Sequence, residues 1–307
     1  MTVTLDALPV PRMLGPDLVV APPDGGSGAW AGAPSAVCVD GQFFLAYRLR
    51  RPIGHGRGYA NVVARSTDGV AFRAVAEVGK DRFGAASLER PALVVTPQGR
   101  WRLYVSVATP GSKHWRVDLL EADEPAALAH APARTVLPGD DRFGVKDPVV
   151  RYDAGRWHLW ASVHPLESDE HADRMSTWYA TSPDGVEWTW VGEVLAGRAG
   201  HWDARGVRIS TVLTGGDRLV AAYDGRATAG ENWEERTGWA FGSRGLDDLF
   251  SPLVAGSDQP LTSPHPPGGL RYLDALPLGG DRYRLYYEMT RADGAHELRT
   301  EEVTASW

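Results

Sequence analysis

Four acidic residues, Glu89, Asp147, Asp203 and Asp274, sit among arginines at Arg48, Arg90, Arg205 and Arg208 in a chain of 307 residues. Carboxylates converging with arginines suit the cleavage of a glycosidic bond. One carboxylic acid protonates the leaving oxygen, a second carboxylate activates water, and roughly 6.5–9.5 Å between them admits that water in an inverting reaction. A further charge nearby drives the two pKa values apart. Lys146, His164, Asp224 and Glu288 extend the polar set, and Trp30, Trp202 and Tyr272 offer faces on which a sugar ring could stack.

These residues are scattered along the chain, so something periodic must gather them. Ala33-Pro34 opens APSAVCVDGQFFLAYR, Arg90-Pro91 opens RPALVVTPQGRWRLYVS and Asp147-Pro148 opens DPVVRYDAGRWHLWAS, at equal steps of 57 residues. Looser copies begin at Val207 (VRISTVLTGGDRLVAAYD) and Leu273 (LDALPLGGDRYRLYYE). Each copy reads as an apolar strand, a turn and an aromatic-rich strand, followed by one or two more strand-like runs such as MSTWYATS and EWTWVGEV. The hairpins STDGVAF (from Ser66) and SPDGVEW (from Ser182) repeat as well, and their Asp-Gly pairs predict tight turns with both central residues at positive φ. Four strands per unit and five units predict an all-β fold: one five-bladed β-propeller spanning residues 1–307, with four-stranded antiparallel blades. The run PDLVVA, from Pro16, has no partner of its own. It is expected to complete the last blade and cover its exposed edge.

In such a fold the minimal turns (VDGQ, TPQG, YDAG, TGGD, LGGD) lie on one face and the long connections on the other. RRPIGHGRG, VHPLESDEHADRM, AGRAGHWDARG and GRATAGENWEE belong to that second face, so function is expected there. It receives the beginnings of the innermost strands, aligned as Ala33, Arg90, Asp147, Arg208 and Asp274. It also receives the ends of the second strands, aligned as Arg48, Ser106, Ser162, Asp224 and Glu288. Copies that served packing alone would carry similar residues at these slots. Instead charged residues dominate these slots and differ from blade to blade, which points to a functional centre.

Composition narrows the partners. The net charge of −7 and the lack of a basic run beyond Arg48–Arg51 exclude a nucleic-acid backbone. The sequence has no segment apolar enough to span a membrane, and MTVTLDALPV does not read as a basic-then-apolar leader, so neither export nor anchoring is expected. The sole cysteine, Cys38, is expected as a buried, inert thiol, and a chain without disulfides fits the cytoplasm. Of the twelve tryptophans, Trp101, Trp157 and Trp160 are expected to fill blades, and Trp30, Trp115, Trp202 and Trp233 to face a ligand from loops. The glycines around His55 lack the helix that a phosphate loop needs, and His164, Glu167 and His171 match no established metal spacing.

The five repeats, the Asp-Pro opening of GVKDPVVRYDAGRWHLWAS, the second strands FFLAYR and YRLYYE and the paired Ser-x-Asp-Gly hairpins resemble the five-bladed propeller glycosidases. That group comprises the arabinanases and xylosidases of glycoside hydrolase family 43 and the related mannoside phosphorylases. The resemblance implies a general-base Asp at the start of the first blade, where this chain has Ala33. It implies a positioning and pKa-tuning Asp at the start of the third, met by Asp147. It implies a general-acid Glu at the fourth, where HWDARGVR offers Asp203 with Arg205 and Arg208. The expected activity is therefore inverting hydrolysis of a small glycoside or oligosaccharide, with Asp203 as acid and Asp274 or Glu89 as base. Phosphorolysis and binding without turnover stand as alternatives. No cofactor is required, although a central calcium ion, as found in some relatives, could draw on Asp147 or Asp274.

Overall fold

In the computed structural model, which describes residues 7–256 and 258–306, the strands group into five four-stranded antiparallel units. Blade one is β2 (Trp30–Val39), β3 (Gln42–Arg50), β4 (Gly58–Ser66) and β5 (Arg73–Gly79). Blade two is β6 (Leu88–Val95), β7 (Trp101–Ala108), β8 (Trp115–Ala122) and β9 (Ala133–Leu137). Blade three is β10 (Phe143–Asp153), β11 (Arg156–Pro165), β12 (Ser176–Ser182) and β13 (Thr189–Leu195). Blade four is β14 (Gly206–Gly215), β15 (Arg218–Arg226), β16 (Arg236–Ser243) and the two-residue β17 (Val254–Ala255). Blade five is β18 (Leu270–Gly279), β19 (Arg282–Thr290) and β20 (His296–Thr304), with β1 (Asp17–Val20) as its outer strand.

The N-terminal strand thus closes the propeller: Asp17 lies opposite Thr300 and Val20 opposite Leu298. A single parallel bridge between Trp30 and His296 also joins the first blade to the last. Five apolar clusters fill the five gaps between neighbouring blades. Phe44 and Val63 meet Leu93 and Trp101 across one gap, and Trp160 and Tyr179 meet Val207 and Tyr223 across another. Trp101, Trp157 and Trp160 are buried in these seams.

The two Ser-x-Asp-Gly hairpins differ from the expected turn. Only Gly69 and Gly185 take positive φ, and the aspartates do not. Instead the Asp68 carboxylate accepts the N–H groups of Val70 and Ala71, while Ser66 Oγ accepts that of Gly69. Asp184 and Ser182 repeat the pattern. Each turn latches onto the preceding blade, because Tyr286 Oη donates to Gly69 O and Tyr104 Oη to Gly185 O. The near-identical heptads therefore serve blade-to-blade packing.

Cys38 also departs from expectation. Its side of β2 turns into the channel mouth on the short-turn face, where it is exposed. Trp30 and Trp115 are not loop residues but begin β2 and β8.

Candidate active site

Each innermost strand carries a β-bulge soon after it starts, which turns one residue inward. In blades one, three and five that residue is Ala33, Asp147 and Tyr272, all at left-handed φ of 54–55°. This register corrects two sequence alignments. Tyr272, not Asp274, is the fifth-blade counterpart of Asp147. Arg208 pairs with Asp224 as Lys146 pairs with Ser162 and Arg271 with Glu288, so it matches Lys146 and lies one residue early. The looser fourth and fifth copies differ in bulge length, which the sequence pattern does not record. Gly32 occupies the corresponding place opposite Arg48, and a Cβ there would run into the Glu288 carboxylate.

On the long-loop face these strands surround a cavity of about 170 Å³. Its aromatic wall is Trp30, Trp115, Trp233 and Tyr272, and its polar lining includes Glu89, Lys146, His164, Arg208, Glu235 and Arg271. Trp30 stacks on His296 at 5.1 Å and carries the guanidiniums of Arg50 and Arg271 at 4.1 and 4.4 Å from its ring centre. Arg208 lies 3.8 Å over Tyr272. A cleft of about 640 Å³ adjoins the cavity, sharing Arg57, Lys113, Trp115 and Asp169.

The carboxylates are held by cations. Glu89 binds Arg48 and, at 3.1 Å, Arg50. Glu288 binds Arg48 and Arg271, each at 2.7 Å. Glu235 takes Arg271 at 2.6 Å, Arg226 at 2.8 Å and Arg208 at 3.4 Å. Burial alone would raise their pKa values, but the guanidiniums overcome it: Glu89 is lowered from 4.5 to about 2, and Glu235 and Glu288 fall well below the carboxylate range. All three stay ionised and are weak bases.

Asp224 behaves differently. Burial raises it to about 6 even though it accepts the Tyr272 N–H and pairs with Arg208 at 3.0 Å. His164 is pushed down to about 3 by burial and by Lys146, so it is neutral. Its Nδ1 donates to the Ala172 carbonyl at 2.7 Å, which leaves Nε2 as a buried acceptor without a partner.

Asp147 lies just under this floor, 1 % exposed. One oxygen accepts the Arg90 N–H at 3.2 Å, and Ser106 Oγ accepts the Asp147 N–H at 2.8 Å. The other oxygen, Oδ2, makes no hydrogen bond and faces Lys146 Nζ at 3.4 Å and Arg208 at 3.8 Å.

Several expected residues are elsewhere. Asp203 is fully buried beside the fourth blade, held by Arg198 at 2.8 Å and by Tyr223 Oη at 2.8 Å, and does not line the cavity. Trp202 stacks on Tyr223 at 5.5 Å in the same seam. Arg205 does not itself line the cavity but pairs at 2.8 Å with Asp173, which does. Asp274 sits deeper in the channel, accepting Ala36 N–H at 2.6 Å and facing Arg151 at 3.7 Å. Arg90 crosses the channel axis: its guanidinium donates to the carbonyls of Pro34, Pro148 and Ser210, from three different blades. These contacts tie the blades together, and Arg90 is absent from the cavity lining. Nor do the donors suit a central calcium ion, because Asp147 and Asp274 both surround the Arg90 cation. Among the described residues no group of three or more His, Cys, Asp or Glu is arranged to hold a metal.

Arg50, Arg226, Glu235 and Arg271 complete the cavity but were not singled out from sequence. Arg271 lies three residues before the aligned slot at Asp274 and directly before Tyr272, and Glu235 ends the long GRATAGENWEE connection, whose length is the signal that points to it.

No protein-family model and no curated protein sequence matches the chain. Solved structures do. A β-1,2-mannobiose phosphorylase from Listeria innocua, solved with β-1,2-mannobiose, superposes with a TM-score of 0.66 at 14% identity, over 94% of this chain and 93% of that one. The fold is that of the five-bladed propeller glycosidases and phosphorylases. An α-L-arabinofuranosidase from Lactobacillus brevis gives 0.66 at 15% identity over 89% and 90% of the two chains. The GH43_1 enzyme from Xanthomonas citri, solved with xylose, gives 0.64 at 15% identity over 93% and 90%.

Proposed function

We propose that this chain is a carbohydrate-active enzyme that cleaves the O-glycosidic bond of a small glycoside at the long-loop mouth, with an oxyanion such as phosphate as the attacking group. The carrying observation is the electrostatics of the cavity. Ala33 stands where the resemblance calls for a general base, and the buried carboxylates that open onto the cavity, Glu89 and Glu235, are each fixed by at least two arginines. A weak base activates water poorly. An anion arrives already nucleophilic, and Lys146, Arg57 and Lys113 are cations through which the cavity could receive it.

In the step this implies, a phosphate oxygen bonds to the anomeric carbon while the bond from that carbon to the glycosidic oxygen breaks with inversion. The electron pair goes to the leaving oxygen, which takes a proton. Two carboxylates are left for that delivery, Asp147, whose Oδ2 makes no hydrogen bond, and Asp224, which burial raises to about 6, since Asp203 and Asp274 lie elsewhere and Glu89, Glu235 and Glu288 remain ionised. His164 Nε2 accepts a sugar hydroxyl and the half-buried Trp115 or Trp233 packs against the ring, since Trp30 and Tyr272 are already covered by His296 and the arginines. At about 170 Å³ the cavity is below the roughly 300 Å³ at which drug-sized sites begin. It fits one terminal sugar, and the adjoining cleft over Trp115 takes the rest of the substrate.

Aglycone release from aryl arabinofuranosides, xylosides, galactosides and mannosides, with and without phosphate, tests the reading. Phosphate-dependent turnover that is lost in Asp147→Asn supports it. Phosphate-independent turnover would return the chain to inverting hydrolysis, and saturable binding without turnover would make it a carbohydrate-binding propeller.

A further inference from the structure

We propose that the opposite mouth of the channel, on the short-turn face, is a second small-molecule site that takes a planar aromatic carboxylate. A cavity of about 400 Å³ opens there, within the size range of ligand pockets. The later halves of the inner strands of blades one, three, four and five line it. It does not continue the first cavity, because the Arg90 guanidinium, bound to the carbonyls of Pro34, Pro148 and Ser210, fills the channel between them.

The chemistry of the two mouths differs. Trp160, Phe250, Tyr283, Leu213 and Leu276 give the second one apolar and aromatic walls. Among the described residues Arg151 is the only cation lining it. The carboxylate nearest Arg151 is Asp274 at 3.7 Å, and Asp274 is already engaged by Ala36 N–H and by Thr211 Oγ1 at 3.2 Å. Asp153, the one acidic residue in the lining among the described residues, is neutralised by Arg244. The guanidinium therefore faces the cavity with donors to spare, and a carboxylate matches its planar fork.

His158 backs the cavity as part of its aromatic wall. It is fully buried, with its Nδ1 2.6 Å from Tyr179 Oη. The ring also stands edge-on to Phe250 at 5.0 Å, in an aromatic group that includes Trp160, so a flat ligand ring has faces and edges to pack on.

The molecule carries its own reporter, since its only thiol, Cys38, is exposed in this mouth. The test is the rate of N-ethylmaleimide labelling of Cys38 in the full chain, read by intact mass, with benzoate, benzamide or acetate added. A site of this kind predicts that benzoate slows labelling saturably, about five-fold when its concentration is about four times Kd. Benzamide and acetate, which lack the charge or the ring, should each slow it less than about two-fold at the same concentration. Protection by benzoate should vanish in Arg151→Gln, whose melting temperature is checked in parallel. As a readout independent of that variant, saturation with benzoate should change the tryptophan emission of the wild type. Absence of protection by benzoate, or equal protection by benzamide, would overturn the proposal. Neither result depends on glycoside turnover, so the failure of this site and of the proposed enzymatic reaction are distinguishable.

Discussion

Arg90 is where the structure departs furthest from a substrate-binding role, and the conservative change Arg90→Lys probes it. The guanidinium is 2 % exposed and spans three blades: Nη2 donates to Ser210 O at 2.6 Å and to Pro34 O at 3.2 Å, and Nη1 reaches Pro148 O at 3.5 Å. Lysine keeps the charge opposite Asp147 and Asp274 but replaces the fork with one point, so it can serve one blade well and leaves two carbonyls underbonded. Losing about two hydrogen bonds to a charged donor costs about 3–5 kcal/mol. Unfolding a chain of 307 residues carries an entropy of about 0.6 kcal/mol per kelvin, so the melting temperature should drop by about 5–8 °C. Calorimetric melting gives that number, and titration with a glycoside found in the aryl panel gives affinity on the same samples. The clamp predicts a lower melting point with affinity changed by less than about three-fold at temperatures well below it. Melting within about one degree of wild type, coupled to a ten-fold loss of affinity, would refute the reasoning and return Arg90 to the ligand.

Deleting residues 1–22 removes β1 from β20 and takes away Leu8, which is buried between blades four and five. The cost should be about 5 kcal/mol or more, with self-association through the bared strand edge, measurable by melting and size-exclusion chromatography. Glu89 makes stability depend on pH in one direction: its folded pKa of about 2 lies below the ordinary 4.5, so its contribution of about 3 kcal/mol is complete above 4.5 and is lost as the pH falls toward 2. The stability gap between wild type and Glu89→Gln, measured by urea unfolding across pH, should therefore be widest near neutrality and close through that acid window.

The sequence carries the fold where packing repeats. Ala33, Arg90 and Asp147 fall at equal spacing because blades one to three share strand lengths and turn types, and the unpaired run from Pro16 finds its place on β20 because a sheet edge needs one. It carries the site less well, for reasons that are geometric. Asp203 lies close in sequence to Arg208, yet Arg198 and Tyr223 draw it into a seam, and such contacts leave no mark on local pattern. Asp274 aligns with Asp147 in sequence because both begin an apolar run, but a bulge between Arg271 and Asp274 shifts the inward position to Tyr272. Cys38 sits in an apolar strand and is still exposed, because the inner strands of a propeller end at an open channel mouth.

The buried ion network also bears on what the cavity is for. Arg48, Arg208 and Arg271 with Glu235 and Glu288 could be replaced by packed apolar side chains with little loss of stability, and often with a gain, since desolvating such charges offsets most of their attraction. Stability alone therefore does not explain the network. What it supplies is fixed orientation: Glu235 holds three guanidiniums from two blades, and Trp30 and Tyr272 back them with ring faces, so a ligand meets donors that need no reorganisation. The same arrangement weakens Glu89, Glu235 and Glu288 as bases. A reaction that needs a strong internal base conflicts with this lining, whereas one whose nucleophile arrives ionised uses it as it stands. The oxyanion reading thus rests on the electrostatics of these residues and not on likeness of fold. Hydrolysis proceeding at full rate without phosphate would show that some carboxylate escapes its arginine partners in the substrate complex.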